Sequence, residues 1–151
     1  MIFEGSIGLE APAPRVYDFL LDVDGFTSCV PGLEEVVRVD DRTFDGVISA
    51  SVGPISGKFS FRAHMVESDP PREMVARVEG TDSVTRSTVN ADLTMTLDPV
   101  GAEHTELAYR ATVDVHGRLA ILGDMVLRAT ATLLLEEFTK RLKERVRAAT
   151  V

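Results

Sequence analysis

The stretch from Thr88 to Leu97, TVNADLTMTL, decides the fold class. Apolar residues occupy every second position, so Val89 and Leu93 lie on one face of an extended strand while polar side chains lie on the other. Lys58–Val66 and Thr105–Val115 repeat this alternation. A period of two in long segments separated by turns predicts an antiparallel sheet with one apolar face and one hydrated face.

The other elements follow outward from these segments. Proline at residues 12 and 14 favours the start of a short helix, and Asp22–Val30 is predicted to hold a second one. Glycine and proline place a hairpin loop at Gly53–Gly57 and a turn at Asp69–Arg72. The predicted strands are Ile2–Glu10, Val36–Val39, Phe44–Val52, Lys58–Val66, Met74–Gly80, Thr85–Leu97 and Thr105–Val115.

After Gly117 the period changes. Apolar residues recur at every third or fourth position from Leu119 to Val146, and no proline follows. This pattern predicts one helix that begins at Arg118 and runs for about 30 residues, or roughly 45 Å. Such a helix can cover the apolar face of a curved sheet, and its basic last part, residues 138–151, is expected to overhang the body. The space between sheet and helix is the predicted site of function.

The composition is that of one globular domain, residues 1–151, with 44% hydrophobic and 26% charged residues. A net charge of -8 and the absence of tryptophan argue against a nucleic-acid partner, which would need a basic surface or stacking aromatics. No segment resembles a secretory signal or approaches about 20 uninterrupted apolar residues. With a single cysteine as well, the sequence predicts a protein of the cytoplasm or of the inner face of the cell membrane.

No residues have the spacing of a catalytic or metal-binding motif, so we predict no catalytic residues, no metal and no cofactor. His64 and His104 are predicted to be surface residues. His116, beside Gly117 at the predicted start of the terminal helix, either contacts a ligand headgroup or is an ordinary exposed residue. Cys29 is predicted to be a small buried hydrophobe rather than a nucleophile, because no basic residue lies close to it in sequence.

A set of mostly apolar side chains is predicted to face the space between sheet and helix, where the alternative for each is simple packing. Ala111 and Ala129 would leave volume there, so Ala129→Trp is expected to block a cavity. Tyr109 and His116 would supply polar contacts. The predicted ligand-binding residues are Phe59, Phe61, Met65, Met95, Leu107, Tyr109, Ala111, His116, Leu122, Met125, Val126, Ala129 and Leu133.

Short motifs follow one another along most of the chain. In order they are Cys29–Glu34 (CVPGLE), Val52–Phe59 (VGPISGKF), Asp69–Pro71 (DPP), Thr105–Tyr109 (TELAY) and Gly117–Gly123 (GRLAILG). Through them the chain resembles the CoxG family, small accessory proteins of aerobic molybdenum carbon monoxide dehydrogenases, within the START-like (SRPBCC) helix-grip superfamily. The resemblance implies an α+β fold. In it a strongly curved antiparallel seven-stranded sheet wraps around a long C-terminal helix, two short helices follow the first strand, and an apolar cavity lies between sheet and helix.

Two departures from the family pattern bear on the ligand and the membrane. Residues 81–92 lack the glycine-rich stretch usual in the family, which leaves the cavity shape and the ligand identity open. Many members also have a longer C-terminus with a tail that attaches to membrane. The absence of such a tail here predicts either a truncated chain or a tail-less member.

The resemblance implies a non-enzymatic carrier of a hydrophobic small molecule. The expected cargo is a respiratory quinone such as menaquinone, or another isoprenoid quinone or lipid, moved between the membrane and carbon monoxide dehydrogenase subunits. Peripheral membrane contact would come from the basic end of the C-terminal helix or from the missing tail, although a solvated helix end is an equal alternative. Two other functions stay open: a maturation, recruitment or assembly factor for the dehydrogenase, and a polyketide cyclase-like enzyme.

Overall fold

A computed structural model describes residues 1–52, 55–82 and 85–150. In these residues seven antiparallel strands form one sheet in the order β1-β7-β6-β5-β4-β3-β2. Two short helices, α1 (Ala13–Leu21) and α2 (Val23–Cys29), follow β1, and a long helix, α3 (Asp124–Thr150), ends the chain. The strands are β1 (Ile2–Leu9), β2 (Leu33–Asp40), β3 (Thr43–Val52), β4 (Ile55–Asp69), β5 (Glu73–Asp82), β6 (Ser87–Gly101) and β7 (His104–His116).

The predicted strands and short helices are confirmed. Individual residues mark where the two helices begin. Pro14 lies in the first turn of α1, where its missing N–H costs nothing. Asp22 is the N-cap of α2, and its carboxylate accepts a hydrogen bond from the N–H of Asp24 at 3.3 Å. The predicted loop at Gly53–Gly57 is only partly described: Ile55–Gly57 already pair with β3, whereas Gly53 and Pro54 lie outside the described residues.

The prediction of one helix from Arg118 is wrong. Arg118–Leu122 form a 3₁₀ helix, and α3 begins only at Asp124. Gly117 and Gly123 flank the 3₁₀ helix with φ of 92° and 86°, a backbone conformation that favours glycine. At Gly117 a Cβ atom would also lie 2.2 Å from the carbonyl oxygen of Arg86, so the chain can turn there only with glycine. Spacing of three and four does not distinguish a 3₁₀ helix from an α-helix, which explains the error.

The hydrophobic core lies at one end of the sheet. There α1, β1 and the ends of β6 and β7 pack against the C-terminal half of α3. Leu142 and Val146 are buried completely or almost completely. The expected overhang of residues 138–151 is therefore wrong as far as Val146, because this part of α3 closes the core. The largest fully buried side chains, taken over the described residues, are Leu9, Leu142, Val16, Val146, Thr105, Cys29 and Ser87.

The hydroxyl of Tyr17 in α1 is buried in this core without a hydrogen-bond partner in the described part of the chain. An unsatisfied buried hydroxyl costs free energy that a phenylalanine of the same shape avoids. Tyr17→Phe is therefore expected to raise the free energy of unfolding by about 1 kcal/mol, measured by urea denaturation. A loss of stability of that size would contradict the expectation and would mean that the hydroxyl donates a hydrogen bond in solution.

Candidate functional site

The apolar face of the sheet is concave and faces α3. Side chains from neighbouring strands stand in register across it: Phe61 pairs with Gly80, which pairs with Val89, and Met95 pairs with Tyr109. The polar residues that alternate with them point to the opposite, convex face and are mostly exposed. We call the space between the concave face and α3 the central hollow.

Burial decreases along the central hollow from one end to the other. At the end near α1, Met95, Leu97 and Leu107 are buried. At the end near the 3₁₀ helix, Val89 and Val115 are only half-buried, as are many concave side chains between the two ends. The core is therefore filled at the α1 end and hollow toward the 3₁₀ helix, which we call the open end.

Glycines let two aromatic rings lie against the concave face. A Cβ atom at Gly46 of β3 would come within 2.6 Å of Cζ of Phe61. One at Gly5 of β1 would come within 2.8 Å of the hydroxyl oxygen of Tyr109. Each ring thus occupies the place of the missing side chain instead of projecting toward α3. Both rings therefore lie along the surface of the sheet.

A cleft of about 270 Å³ lies between Tyr109 and α3, and it is open to solvent. Its α3 side is formed by Thr132, Leu135, Glu136 and Thr139. Apolar and polar groups line it together, as is usual in sites that bind a small molecule through shape and a few oriented hydrogen bonds. This volume is slightly below the range of about 300–1,000 Å³ usual for small-molecule pockets, so it could hold at most a single ring system.

The structure brings most of the predicted strand residues together. The side chains that share the concave face are Phe59, Phe61, Met65, Met95, Leu107, Tyr109 and Ala111. Met95 and Leu107 are buried at the filled end, Met65 is buried in the row of Ala111, and the other four are half-buried. Their role in binding a ligand remains a prediction.

The predicted helix residues are mostly exposed rather than packed, and their contact with a ligand remains a prediction. Met125 is 86% exposed and Leu133 is 54% exposed, and Ala129 between them is exposed as well. Leu122 belongs to the 3₁₀ helix and is also exposed, while Val126 is half-buried. The buried and half-buried face of α3 carries Leu127, Thr130, Ala131, Leu134, Phe138, Leu142 and Val146.

Two faces of α3 fit the apolar pattern of the sequence. α3 is apolar on two sides along its first half, so spacing of three and four fits both Met125-Ala129-Leu133 and Leu127-Ala131-Leu134. Only packing decides which of the two faces turns inward. We call the exposed set Ile121, Leu122, Met125, Ala129 and Leu133 the outer stripe.

His116 does not face the hollow. It is the last residue of β7, is exposed, and pairs with Thr88 on the side of the sheet opposite Val115. Strand alternation therefore points its imidazole away from the concave face, and the predicted headgroup contact through His116 is wrong. Tyr109 is the one of the two predicted polar contacts that faces the hollow.

Sequence reasoning missed a polar cluster at the open end. Asp82 and Ser87 are almost fully buried, and the hydroxyl of Thr85 donates to Oδ2 of Asp82 at 3.0 Å. The hydroxyl of Thr85 also lies 2.9 Å from that of Ser87, which accepts the N–H of Leu119 at 3.0 Å. This cluster fastens the 3₁₀ helix to the start of β6. No sequence motif predicted this polar cluster, because its residues are of types that are common in turns.

The prediction for Cys29 is confirmed as far as burial goes. Its side chain is fully buried, and burial raises the pKa of the thiol. The hydrogen bond from Ser28 and the positive charges of Arg145 and Arg141 oppose that shift but do not cancel it. The two arginines approach through the tertiary structure, whereas the sequence showed no basic neighbour.

The convex face is polar and ion-paired. Arg62 donates to both carboxylate oxygens of Asp45, at 2.7 and 2.8 Å, and holds the pKa of Asp45 below its usual value. A shallow depression of about 460 Å³ surrounds this pair, so the larger of the two open spaces lies outside the hollow. Its walls combine the carboxylates of Glu35 and Glu79 with the apolar residues Val37 and Val47.

Across the described ranges no helix is long and apolar enough to cross a membrane. The same residues contain no group of three or more His, Cys, Asp and Glu side chains placed to hold a metal ion.

Comparison with known proteins gives one family and one fold. Residues 5–147 match the CoxG family, which is described as a family of carbon monoxide dehydrogenase subunits. No curated protein matches significantly.

Solved structures resemble this one over nearly the whole chain. A conserved protein from Geobacillus kaustophilus has a TM-score of 0.91 at 22% identity, covering 100% of this chain and 98% of its own. A START superfamily protein from Mycobacterium smegmatis has a TM-score of 0.74 at 15% identity, covering 99% of both chains. The Zhui aromatase/cyclase from Streptomyces sp. R1128 has a TM-score of 0.71 at 17% identity, covering 97% and 93%. At these identities the likeness shows the fold, which is the predicted α+β helix-grip architecture.

Proposed function

Since the chain belongs to the CoxG family of carbon monoxide dehydrogenase subunits, we propose that it is a non-enzymatic carrier of a hydrophobic small molecule that serves a carbon monoxide dehydrogenase. The central hollow is the proposed binding site. The filled end of the sheet, with α1 and the last turns of α3, supplies the stability of the domain, so the open end is free to admit a ligand.

One observation carries this proposal: the apolar side chains at the middle and open end of the concave face are only half-buried. Phe61, Val89 and Val113 retain exposed surface although they point toward α3. Removing apolar surface from water stabilises a protein by about 25 cal/mol per Å², so covering these side chains would stabilise the domain. A hydrophobic ligand that covers these side chains would recover that free energy.

An isoprenoid quinone such as menaquinone is the proposed cargo. Its flat ring suits the cleft of about 270 Å³ at Tyr109, where aromatic and aliphatic groups offer stacking and van der Waals contact. The phenol of Tyr109 is a hydrogen-bond donor for a quinone carbonyl. The prenyl tail would lie along the half-buried valines toward the open end.

A quinone also suits the chemistry of the proposed partner, a carbon monoxide dehydrogenase. A dehydrogenase that oxidises its substrate must pass electrons onward, and a quinone accepts two electrons and two protons. The carrier would bring oxidised quinone to the enzyme and take the reduced form back to the membrane. No group of this chain takes part in the redox step, which occurs between enzyme and cargo.

The proposal is tested by gentle purification from a host whose membranes contain quinones, followed by organic extraction and mass spectrometry. We expect an isoprenoid quinone close to one per chain, and we expect quinone added to extracted protein to raise its melting temperature. Trace amounts only, with no change in melting temperature, would contradict the carrier function. An assembly factor that binds the dehydrogenase through its surface would then be the better hypothesis, and co-purification of the enzyme with extracted protein would test it.

A further inference from the structure

The cleft between Tyr109 and α3 offers a ligand mainly hydrogen-bond acceptors. Glu136 contributes a carboxylate, and an ionised carboxylate accepts hydrogen bonds but donates none. The hydroxyl of Thr132 donates to the carbonyl oxygen of Arg128 at 2.9 Å, so only its lone pairs remain for a ligand. The hydroxyls of Tyr109 and Thr139 can donate or accept. None of the described side chains that line the cleft carries an N–H group.

Glu136 is available to a ligand. It is exposed, and it forms no ion pair with any residue that the structure describes. The neighbouring carboxylate of Glu137, in contrast, accepts a hydrogen bond from Nε of Arg141 at 3.0 Å. A ring that enters the cleft therefore lies between the phenol of Tyr109 on the sheet and the carboxylate of Glu136 on α3.

We infer that the cleft binds the reduced, hydroquinone form of the cargo more tightly than the quinone form, an inference that rests on the proposed function. A quinone has two carbonyl oxygens, which only accept hydrogen bonds, so it can pair with Tyr109 or Thr139 alone. Against Glu136 it would set one acceptor beside another, and both would lose hydrogen bonds to water. A hydroquinone has two hydroxyl groups, and one of them can donate to Glu136.

The size of the preference follows from the charge and the exposure of Glu136. A hydrogen bond to a charged acceptor is stronger than one between neutral groups. Because Glu136 is exposed, water competes for its oxygens and reduces the net effect. We therefore expect the hydroquinone to bind roughly ten-fold more tightly than the quinone.

This preference gives the carrier a direction. A quinone becomes a hydroquinone by taking up two electrons and two protons, which the dehydrogenase supplies when it oxidises its substrate. A carrier that prefers the hydroquinone takes up this product in exchange for the quinone that it brought. Tighter binding of the reduced form also raises the reduction potential of the bound couple, and ten-fold corresponds to about 30 mV for two electrons.

Anaerobic titration of ligand-free protein tests the inference. The probe is a menaquinone with a single prenyl unit, used once as the quinone and once after reduction to the hydroquinone. The unchanged protein should bind the reduced probe roughly ten-fold more tightly than the oxidised probe. Glu136→Gln keeps the shape of the side chain but supplies an N–H donor. This variant should bind the reduced probe more weakly and the oxidised probe no more weakly, so that the ratio of affinities falls close to one.

Glu144→Gln is the matched control. Glu144 is also exposed on α3 and does not line the cleft, so its substitution makes the same change of net charge away from the proposed site. The ratio of affinities should stay at roughly ten in this variant. Thr132→Val removes the second acceptor with little change of shape and should lower the ratio by a smaller factor than Glu136→Gln.

The outcomes separate this inference from the proposed function. Equal affinity of the unchanged protein for both forms of the probe would overturn the inference and leave the carrier function standing. An unchanged ratio in Glu136→Gln would also overturn it, because the preference would then arise elsewhere in the hollow. Binding of neither form would refute the carrier function and the inference together. As a second measurement, the reduction potential of the bound probe should lie about 30 mV above that of the free probe, and Glu136→Gln should abolish this difference.

Discussion

Ala111→Trp is expected to weaken the binding of a hydrophobic ligand by roughly 100-fold, because an indole on the concave face would occupy the middle of the central hollow. Ala111 is half-buried, between Leu93 on β6 and Phe3 on β1. The new side chain enters open space rather than a packed core, so the cost in stability should stay near 1 kcal/mol. Titration with quinone, followed by the change in melting temperature, measures the effect.

Thr94→Trp is the matched control for this experiment. Thr94 is exposed and lies on the convex face of β6, where it pairs with Arg110. Ligand binding should therefore be unchanged in Thr94→Trp. Ala91→Trp, which places the same side chain on the neighbouring strand β6, covers the case in which Ala111→Trp fails to fold. Loss of binding in Thr94→Trp, or retention in both concave variants, would contradict the assignment of the binding site to the concave face.

Leu142→Ala is expected to lower the free energy of unfolding by about 2–5 kcal/mol, the usual range when a buried leucine is truncated and leaves a cavity. Leu142 is fully buried in the cluster that joins the C-terminal half of α3 to α1 and β1. For a domain whose total stability is about 5–15 kcal/mol, such a loss is a large share. Urea or thermal denaturation measures it directly.

Leu133→Ala, on the same helix, makes the same chemical change at a site that is 54% exposed. Its expected effect on stability is within about 0.5 kcal/mol, since surface substitutions rarely cost more. A small effect at Leu142 would mean that the end of α3 does overhang the body. A large effect at Leu133 would mean that the outer stripe is packed in solution, against its own domain or a second copy.

The strands were predictable because their signal is local and redundant. In β4 and β6 every second residue is apolar over many positions, and a shift by one residue would expose the whole set. The start of α1 was predictable from the prolines at residues 12 and 14. The concave location of Phe61 and Tyr109 follows from this alternation.

Which face of α3 is buried could not be predicted in the same way. α3 carries apolar residues on both faces of its first half, and periodicity gives no preference between them. The boundary at Gly123 between the 3₁₀ helix and α3 could not be predicted either, because a glycine inside a helical pattern can be tolerated or can end the helix. Side-chain orientation at Met125, Ala129 and Leu133 was therefore decided by packing against β1 and α2, which the sequence does not display.

The sequence by itself determined a curved antiparallel sheet with one apolar face, the short helices and the long helix, since each rests on periodicity or on a cap within a few residues. The tertiary structure alone decided which end of the hollow is filled, and that Asp82, Thr85 and Ser87 fasten the 3₁₀ helix. The physical reason is the range of the interactions. Alternation and capping act between neighbours in the chain, whereas burial is the outcome of contacts between residues as far apart as Leu9 and Leu142.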